Sequence, residues 1–81
     1  MNRMVFCNLI EKNGSELLYS IGGRPDDLTG RLSVNTEDGS FEIQAEPENS
    51  KVYTRHVSAM LRKAQSDYSA GNFKERLSYE I

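Results

Sequence analysis

The feature that most constrains the fold of this chain is a single stripe of apolar residues at helical spacing between residues 53 and 68. Its members are separated by four, three, one, three and four positions, as expected for a helix with one buried face. The stripe comprises Tyr53, Val57, Met60, Leu61, Ala64 and Tyr68. Because one helix cannot bury its apolar face alone, the other residues must supply the surface that covers it.

Residues on either side of the stripe indicate where the helix begins and ends. Asn49 or Ser50 can act as the N-cap, because either side chain can accept a hydrogen bond from an unpaired N–H of the first turn. Gly71 or Asn72 can adopt the left-handed conformation that closes a helix. We therefore expect a helix of about 20 residues and ~30 Å, long enough to cross a small sheet.

The first part of the chain alternates short apolar runs with turn residues, which predicts antiparallel strands. Residues 4–11 are apolar on both faces, as is typical of a strand in the middle of a sheet. Asn13 and Gly14 then predict a type I′ hairpin turn, because both residues tolerate positive φ. Residues 16–21 form the returning strand, and a loop from Gly22 to Asp27 follows it.

A second hairpin is expected directly after this loop. Residues 28–35 and 41–46 alternate apolar and polar side chains, and turn residues at 37–40 join them. Pro47 ends the second of these strands, since proline lacks the N–H that a ladder needs. Four strands joined in chain order by turns predict a β-meander.

The last residues predict a fifth strand. Leu77, Tyr79 and Ile81 alternate with polar residues, and this strand would run antiparallel to the first strand if the two pair. A short helical turn that brings Phe73 beside Leu77 is the alternative interpretation. The prediction is a single α+β domain, residues 1–81, with the element order β-β-β-β-α-β. In it, one long amphipathic helix packs on one face of an antiparallel β-meander of four strands, which a short fifth strand extends.

Composition indicates an ordinary folded domain in the cytoplasm. The single cysteine, Cys7, cannot form a disulfide within the chain, whereas small secreted domains usually need several. No run of residues approaches the ~18 apolar positions that a membrane span needs. Residues 1–50 carry four basic and nine acidic side chains, whereas residues 51–81 carry six basic and three acidic ones. The helical portion is therefore basic on an otherwise acidic molecule.

The residues that usually carry catalysis or bind metals do not form a recognisable set. His56 is the only histidine and falls at the border of the helical stripe, where packing is the simpler interpretation. Cys7 lies in the middle of a predicted strand and is expected to pack in the core. One histidine and one cysteine cannot provide the four ligands of a structural zinc site. We therefore expect no enzyme activity, no metal and no cofactor.

The first functional hypothesis is a non-enzymatic protein-interaction or regulatory module. Its partner is another protein or a second copy of the chain, because association would relieve the marginal core of so short a protein. The contact surface is the helix, the open sheet face or an edge strand that contains Leu77, Tyr79 and Ile81. A homodimer is one of the expected outcomes.

Two other hypotheses remain open. Nucleic acid could bind the basic residues of the helical region, Lys51, Arg55, Arg62 and Lys63, although the pI of about 5.3 is far below that of typical nucleic-acid-binding domains. A small ligand could bind the loop from Gly22 to Asp27, since long loops often hold binding residues.

Overall fold

The structure, a computed structural model, describes residues 4–80. Within these residues the elements are β1 (Met4–Asn13), β2 (Glu16–Gly22), β3 (Gly30–Asn35), β4 (Phe41–Ala45), α1 (Thr54–Ser69) and β5 (Arg76–Glu80). The strands form one antiparallel sheet in the order β4-β3-β2-β1-β5. This arrangement confirms the predicted α+β class and the order β-β-β-β-α-β.

β1 lies inside the sheet, as its two apolar faces predict. It pairs with β2 on one side and with β5 on the other, where the register places Tyr79 opposite Val5. The fifth strand is therefore confirmed, and the alternative of a helical turn next to Phe73 is wrong. Ile81, the last residue of the predicted strand, lies outside the described residues.

The first hairpin differs from its prediction because β1 contains a bulge. The register with β2 shifts at Ile10, whose side chain is 50% exposed. As a result Asn13 pairs with Glu16, and the turn is centred on Gly14 and Ser15. Only Gly14 in this turn has a positive φ, of 62°, which is the arrangement of a type II′ turn rather than of type I′.

The core lies between one face of the sheet and the inner face of α1. Five of the six predicted stripe residues are buried on the helix, namely Val57, Met60, Leu61, Ala64 and Tyr68. Tyr53 is half-buried and precedes the helix, and His56 is buried on its first turn. The sheet contributes mainly β-branched, leucine and tyrosine side chains, namely Val5, Cys7, Leu17, Tyr19, Ile21, Leu32 and Val34.

The helix begins later than predicted. Its N-cap residue is Tyr53, whose side chain makes no capping hydrogen bond, and its first residue is Thr54. The prediction of Asn49 or Ser50 as the N-cap is wrong, because both residues lie before the helix and the hydroxyl of Ser50 accepts its hydrogen bond from the N–H of Gly23.

The helix ends as predicted. Gly71 has a φ of 78°, and its N–H donates to the carbonyl of Tyr68 at 3.0 Å. The N–H of Asn72 donates to the carbonyl of Asp67 at 2.8 Å, and these two bonds form a Schellman motif. Phe73 then stacks on Tyr68, with ring centroids 5.9 Å apart.

A buried hydrogen bond between two tyrosines joins the helix to the sheet. The hydroxyl oxygens of Tyr19 on β2 and Tyr68 on α1 lie 2.8 Å apart, and both side chains are buried. Burial, and then the hydrogen bond to Tyr68, raises the pKa of Tyr19, so its hydroxyl is protonated at neutral pH. Because a buried hydroxyl without a partner is costly, each tyrosine depends on the other.

We expect the two tyrosines to be energetically coupled. Tyr68→Phe leaves the hydroxyl of Tyr19 buried without this partner and should lower the free energy of unfolding by about 1–3 kcal/mol. The double variant that also carries Tyr19→Phe removes both polar groups. Its loss should be smaller than the sum of the single losses by at least ~0.5 kcal/mol. Guanidinium unfolding of the four proteins measures the coupling, and additive losses would contradict it.

Candidate functional site

The loop from Gly22 to Asp27 is held by a buried carboxylate. Asp27 is only 2% exposed and accepts three hydrogen bonds from the chain. The donors are the hydroxyl of Ser50 at 2.6 Å, the hydroxyl of Thr29 at 2.9 Å and the backbone N–H of Asn49 at 3.0 Å. We call these four residues the Asp27 clamp. It ties the loop after β2 to the segment that leads into α1.

The paired glycines of this loop serve close packing. A Cβ atom at Gly22 would lie 1.7 Å from the carbonyl oxygen of Asp27, so no larger residue fits there without a shift of the backbone. The N–H of Gly23 donates to the hydroxyl of Ser50 at 2.9 Å. Both glycines therefore let the loop approach the clamp, and the polar atoms of the clamp point into the chain.

Hydrogen bonding also favours the ionised form of Asp27. The bond from Ser50 is the largest cause that holds the pKa of Asp27 below its ordinary value of 3.8, and burial acts in the opposite direction. Sequence reasoning noticed the loop but missed this carboxylate. The short spacing to Thr29 was visible in the sequence, whereas the partners at Asn49 and Ser50 are more than twenty residues away.

Replacement of the clamp carboxylate should destabilise the fold in a pH-dependent way. Asp27→Asn cannot accept all three hydrogen bonds and should lower the unfolding midpoint at pH 7. Because the pKa of Asp27 is lower in the folded state, its contribution is complete above about pH 4 and is lost as the pH falls through the folded pKa.

Thermal unfolding between pH 2 and 7 tests this expectation. The difference between wild type and Asp27→Asn should shrink below about pH 4. Asp26→Asn is the matched control, because Asp26 is exposed in the same loop and lies 3.6 Å from Arg24. A difference that stays constant with pH, or an equal effect of Asp26→Asn, would contradict the clamp.

A cleft of about 390 Å³ lies beside this loop on the sheet face that α1 does not cover. Pro25 of the loop and Leu28, which follows it, form one wall, and residues of β1 and β5 form the other. Its side chains are mixed in polarity, namely Phe6, Asn8, Pro25, Leu28, Arg76 and Ser78. The cleft is open to solvent, and the Asp27 carboxylate does not line it.

The four basic residues predicted as a contact surface do not form one patch. Lys51 precedes the helix, and its Nζ lies 5.4 Å from the ring centroid of Tyr53. The guanidinium of Arg55 lies 6.0 Å from the same ring. Arg62 lines a groove toward the edge formed by β4, whereas Lys63 lines a groove toward the opposite edge, formed by β5. Only the first two residues act as a pair, around Tyr53.

β5 forms one edge of the sheet, and no strand within residues 4–80 pairs with its outer side. The N–H of Leu9 on β1 donates to the carbonyl of Glu75 at 2.7 Å. This bond shows which residues of β5 direct their backbone groups toward β1. Backbone groups of successive residues alternate sides in an antiparallel ladder. Those of Leu77 and Tyr79 therefore face β1, and those of Ser78 face the outer edge.

The predicted edge residues contribute side chains to the core. Leu77 and Tyr79 are half-buried and pack against the core on the face that α1 covers. The Nζ of Lys63 lies 5.0 Å from the ring centroid of Tyr79 and covers it from the helix side. The outer edge of β5 therefore presents backbone groups, with Arg76 and Ser78 exposed on the opposite face.

The other edge strand, β4, has features that hinder pairing with another chain. Its register with β3 shifts between Arg31 and Leu32, so the strand contains a bulge. Pro47 lies two residues beyond its end, between the exposed acidic residues Glu46 and Glu48. Bulges, prolines and charges are the usual means by which proteins protect an edge. β5 pairs with β1 without a register shift, so it is the accessible edge.

The two residues considered for catalysis lie in or beside the core. Cys7 is 1% exposed, and burial raises the pKa of its thiol to about 12, so the nucleophilic thiolate is scarce at neutral pH. His56 is 6% exposed, and its ring meets that of Tyr53 edge to face at 5.2 Å. Among residues 4–80 no three His, Cys, Asp or Glu side chains are grouped as metal ligands. The helix in this part of the chain is too short and polar to cross a membrane.

The geometry defines an α+β protein with one helix-covered sheet face, a hydrogen-bonded loop and one accessible strand edge. Protein-family models, curated proteins and solved structures show no match to this chain. The interpretation of its surfaces therefore depends on the geometry alone.

Proposed function

We propose that this chain is a non-enzymatic protein-interaction module that binds a partner strand at the outer edge of β5. The observation that carries the proposal is the regular, one-sided pairing of β5 at the end of the sheet. An edge strand of this kind offers N–H and C=O groups to which an extended segment can add as a further strand. Selection among partners would come from the side chains that flank this backbone.

The contrast between the two edges supports β5 over β4. A bulge and Pro47 disturb the end of β4, whereas the five residues of β5 keep one register with β1. The burial of Cys7 supports a role without nucleophilic catalysis at that position. Cys7 is also free, which suits the cytoplasmic location inferred from the single cysteine.

A proline substitution at the edge should remove partner binding selectively. Ser78→Pro deletes an N–H that faces outward, so the bonds between β5 and β1 remain. Ser78→Ala keeps that N–H and is the matched control, and Gln44→Pro places a proline at the other edge. The measurement is quantitative capture of proteins from a native lysate by the four immobilised proteins.

Partners of the edge should bind wild type, Ser78→Ala and Gln44→Pro, and should be lost with Ser78→Pro. Circular dichroism and the unfolding midpoint verify that each variant is folded. Capture that is the same with all four proteins would count against strand addition at β5, and so would a chain that associates with nothing, itself included.

Nucleic-acid binding is the second candidate, and the arrangement around Tyr53 favours it. Lys51 and Arg55 lie beside the ring of Tyr53, and a cation next to an aromatic ring suits contact with a phosphate and a base. A gel shift with single-stranded DNA at ~50 mM salt should be weakened by Lys51→Gln with Arg55→Gln and little affected by Arg62→Gln with Lys63→Gln. No shift at that salt concentration would exclude this candidate.

We do not extend the proposal to a small ligand at the loop from Gly22 to Asp27. The carboxylate of Asp27 accepts its hydrogen bonds from the chain itself, and Ser50 is engaged on both sides as donor and acceptor. The polar atoms of the Asp27 clamp therefore already have partners within the chain.

A further inference from the structure

We propose that the partner strand is β5 of a second copy of this chain, paired antiparallel about a two-fold axis through Ser78. The inference rests on the interaction function proposed above and identifies the partner. It follows from the order of side chains along β5 and from which of its backbone groups face the outer edge. The resulting homodimer would have one continuous sheet of ten strands.

The sequence of β5 is complementary to its own reverse. The strand reads Arg76, Leu77, Ser78, Tyr79, Glu80. Antiparallel pairing about Ser78 places Arg76 opposite Glu80 of the second copy, and the symmetry repeats this pair of opposite charges. Leu77 lies opposite Tyr79 of the second copy on the helix-covered face. Pairs of opposite charge and pairs of apolar with aromatic residues are those that stabilise adjacent strands.

The backbone is compatible with the same register. The N–H and C=O groups of Ser78 face the outer edge, so two copies of Ser78 can exchange both hydrogen bonds across the axis. An axis through Leu77 would place Arg76 opposite Ser78 of the second copy, and an axis through Tyr79 would place Glu80 opposite Ser78, so neither pairs Arg76 with Glu80. An axis through Arg76 would pair two like charges. The side-chain pairing therefore favours an axis through Ser78, and the backbone groups of Ser78 can form the central hydrogen bonds.

The surroundings of the edge allow two copies to approach. A groove between α1 and β5 is lined by Lys63, Asp67 and Lys74, and Lys74 forms an ion pair with Asp67 at 3.4 Å. Together with Glu75, Arg76 and Glu80, these residues give the edge and its groove three basic and three acidic side chains. The net charge at the contact is therefore balanced, although residues 51–81 as a whole are basic.

The dimer should also cover apolar surface that a single chain leaves half-buried. Leu77 and Tyr79 are half-buried at the margin of the core. A second copy adds its own Tyr79 and Leu77 beside them and extends the core across the axis. This gain matters in an 81-residue chain, because small domains bury a low fraction of their surface.

The oligomeric state gives the first test. Light scattering after size exclusion should show twice the chain mass for wild type and for Ser78→Ala, and the mass of one chain for Ser78→Pro. A wild-type monomer at ~100 μM, well above the Kd of ordinary specific dimers, would overturn the inference.

A charge exchange tests the pairing of Arg76 with Glu80. Arg76→Glu or Glu80→Arg alone places like charges opposite each other at two symmetric positions and should raise the dissociation constant on the order of tenfold or more. The double exchange should restore it. Residues 76 and 80 of one strand are ~13 Å apart, so rescue through contact within the chain is not expected. Additive loss in the double variant would overturn this register.

Cysteine cross-linking locates the axis independently. Ser78→Cys brings two Cα atoms to about 5.5 Å across a hydrogen-bonded pair, which is within the range of a disulfide. Arg76→Cys is the control, because its two copies would be more than ~13 Å apart. Oxidation should give a covalent dimer with the first variant only, and buried Cys7 contributes no background. Equal cross-linking of both variants would overturn the proposed axis.

These experiments separate the two proposals. A monomer that still loses a captured protein on Ser78→Pro refutes self-pairing and keeps the interaction function. A dimer whose mass is unaffected by Ser78→Pro and Arg76→Glu refutes self-pairing at β5, and the proposed function at that edge fails as well if Ser78→Pro captures the same proteins as wild type.

Discussion

The hydrogen bonds to Asp27 connect the two halves of this fold, and the position of the helix depends on them. They hold the segment with Asn49 and Ser50 against the loop after β2, so α1 cannot begin there and starts at Thr54. From that start, the apolar side chains of the helix face the sheet, and Tyr68 reaches the hydroxyl of Tyr19. A carboxylate at the end of one loop thereby aligns a helix that begins more than twenty residues later.

Local patterns predicted the elements well, and distant contacts account for the errors. The helical stripe was correct from Val57 to Tyr68, because its period depends only on neighbouring residues. The N-cap was wrong because the hydroxyl of Ser50 donates to Asp27 and accepts from the N–H of Gly23, and both partners lie in a loop far away in the sequence. The turn at Gly14 was displaced because the bulge at Ile10 arises from pairing with β2. No local pattern contains that information.

The candidate site was likewise predicted where it depends on local pattern and missed where it depends on distant contacts. The alternation of Leu77 and Tyr79 predicted an edge strand, and the structure places β5 at the edge. The sequence could not show that these two side chains turn toward the core and leave the backbone as the accessible part, because this depends on the phase of pairing with β1. The basic residues were grouped by helical spacing. Lys51 lies before the helix, and Arg62 and Lys63 point to opposite edges.

The two edges of this sheet differ in how regularly their strands pair, and this difference is the reason for placing the proposed partner at β5. The meander ends at β4, where a bulge and Pro47 disturb the ladder, whereas β5 joins the other side only after the helix has crossed. β5 must pair regularly with β1, since it supplies Leu77 and Tyr79 to the margin of the core. The regularity that serves this packing also leaves an accessible outer edge. In a chain this short, a partner strand at that edge would cover apolar surface of Leu77 and Tyr79 that the single helix leaves half-buried.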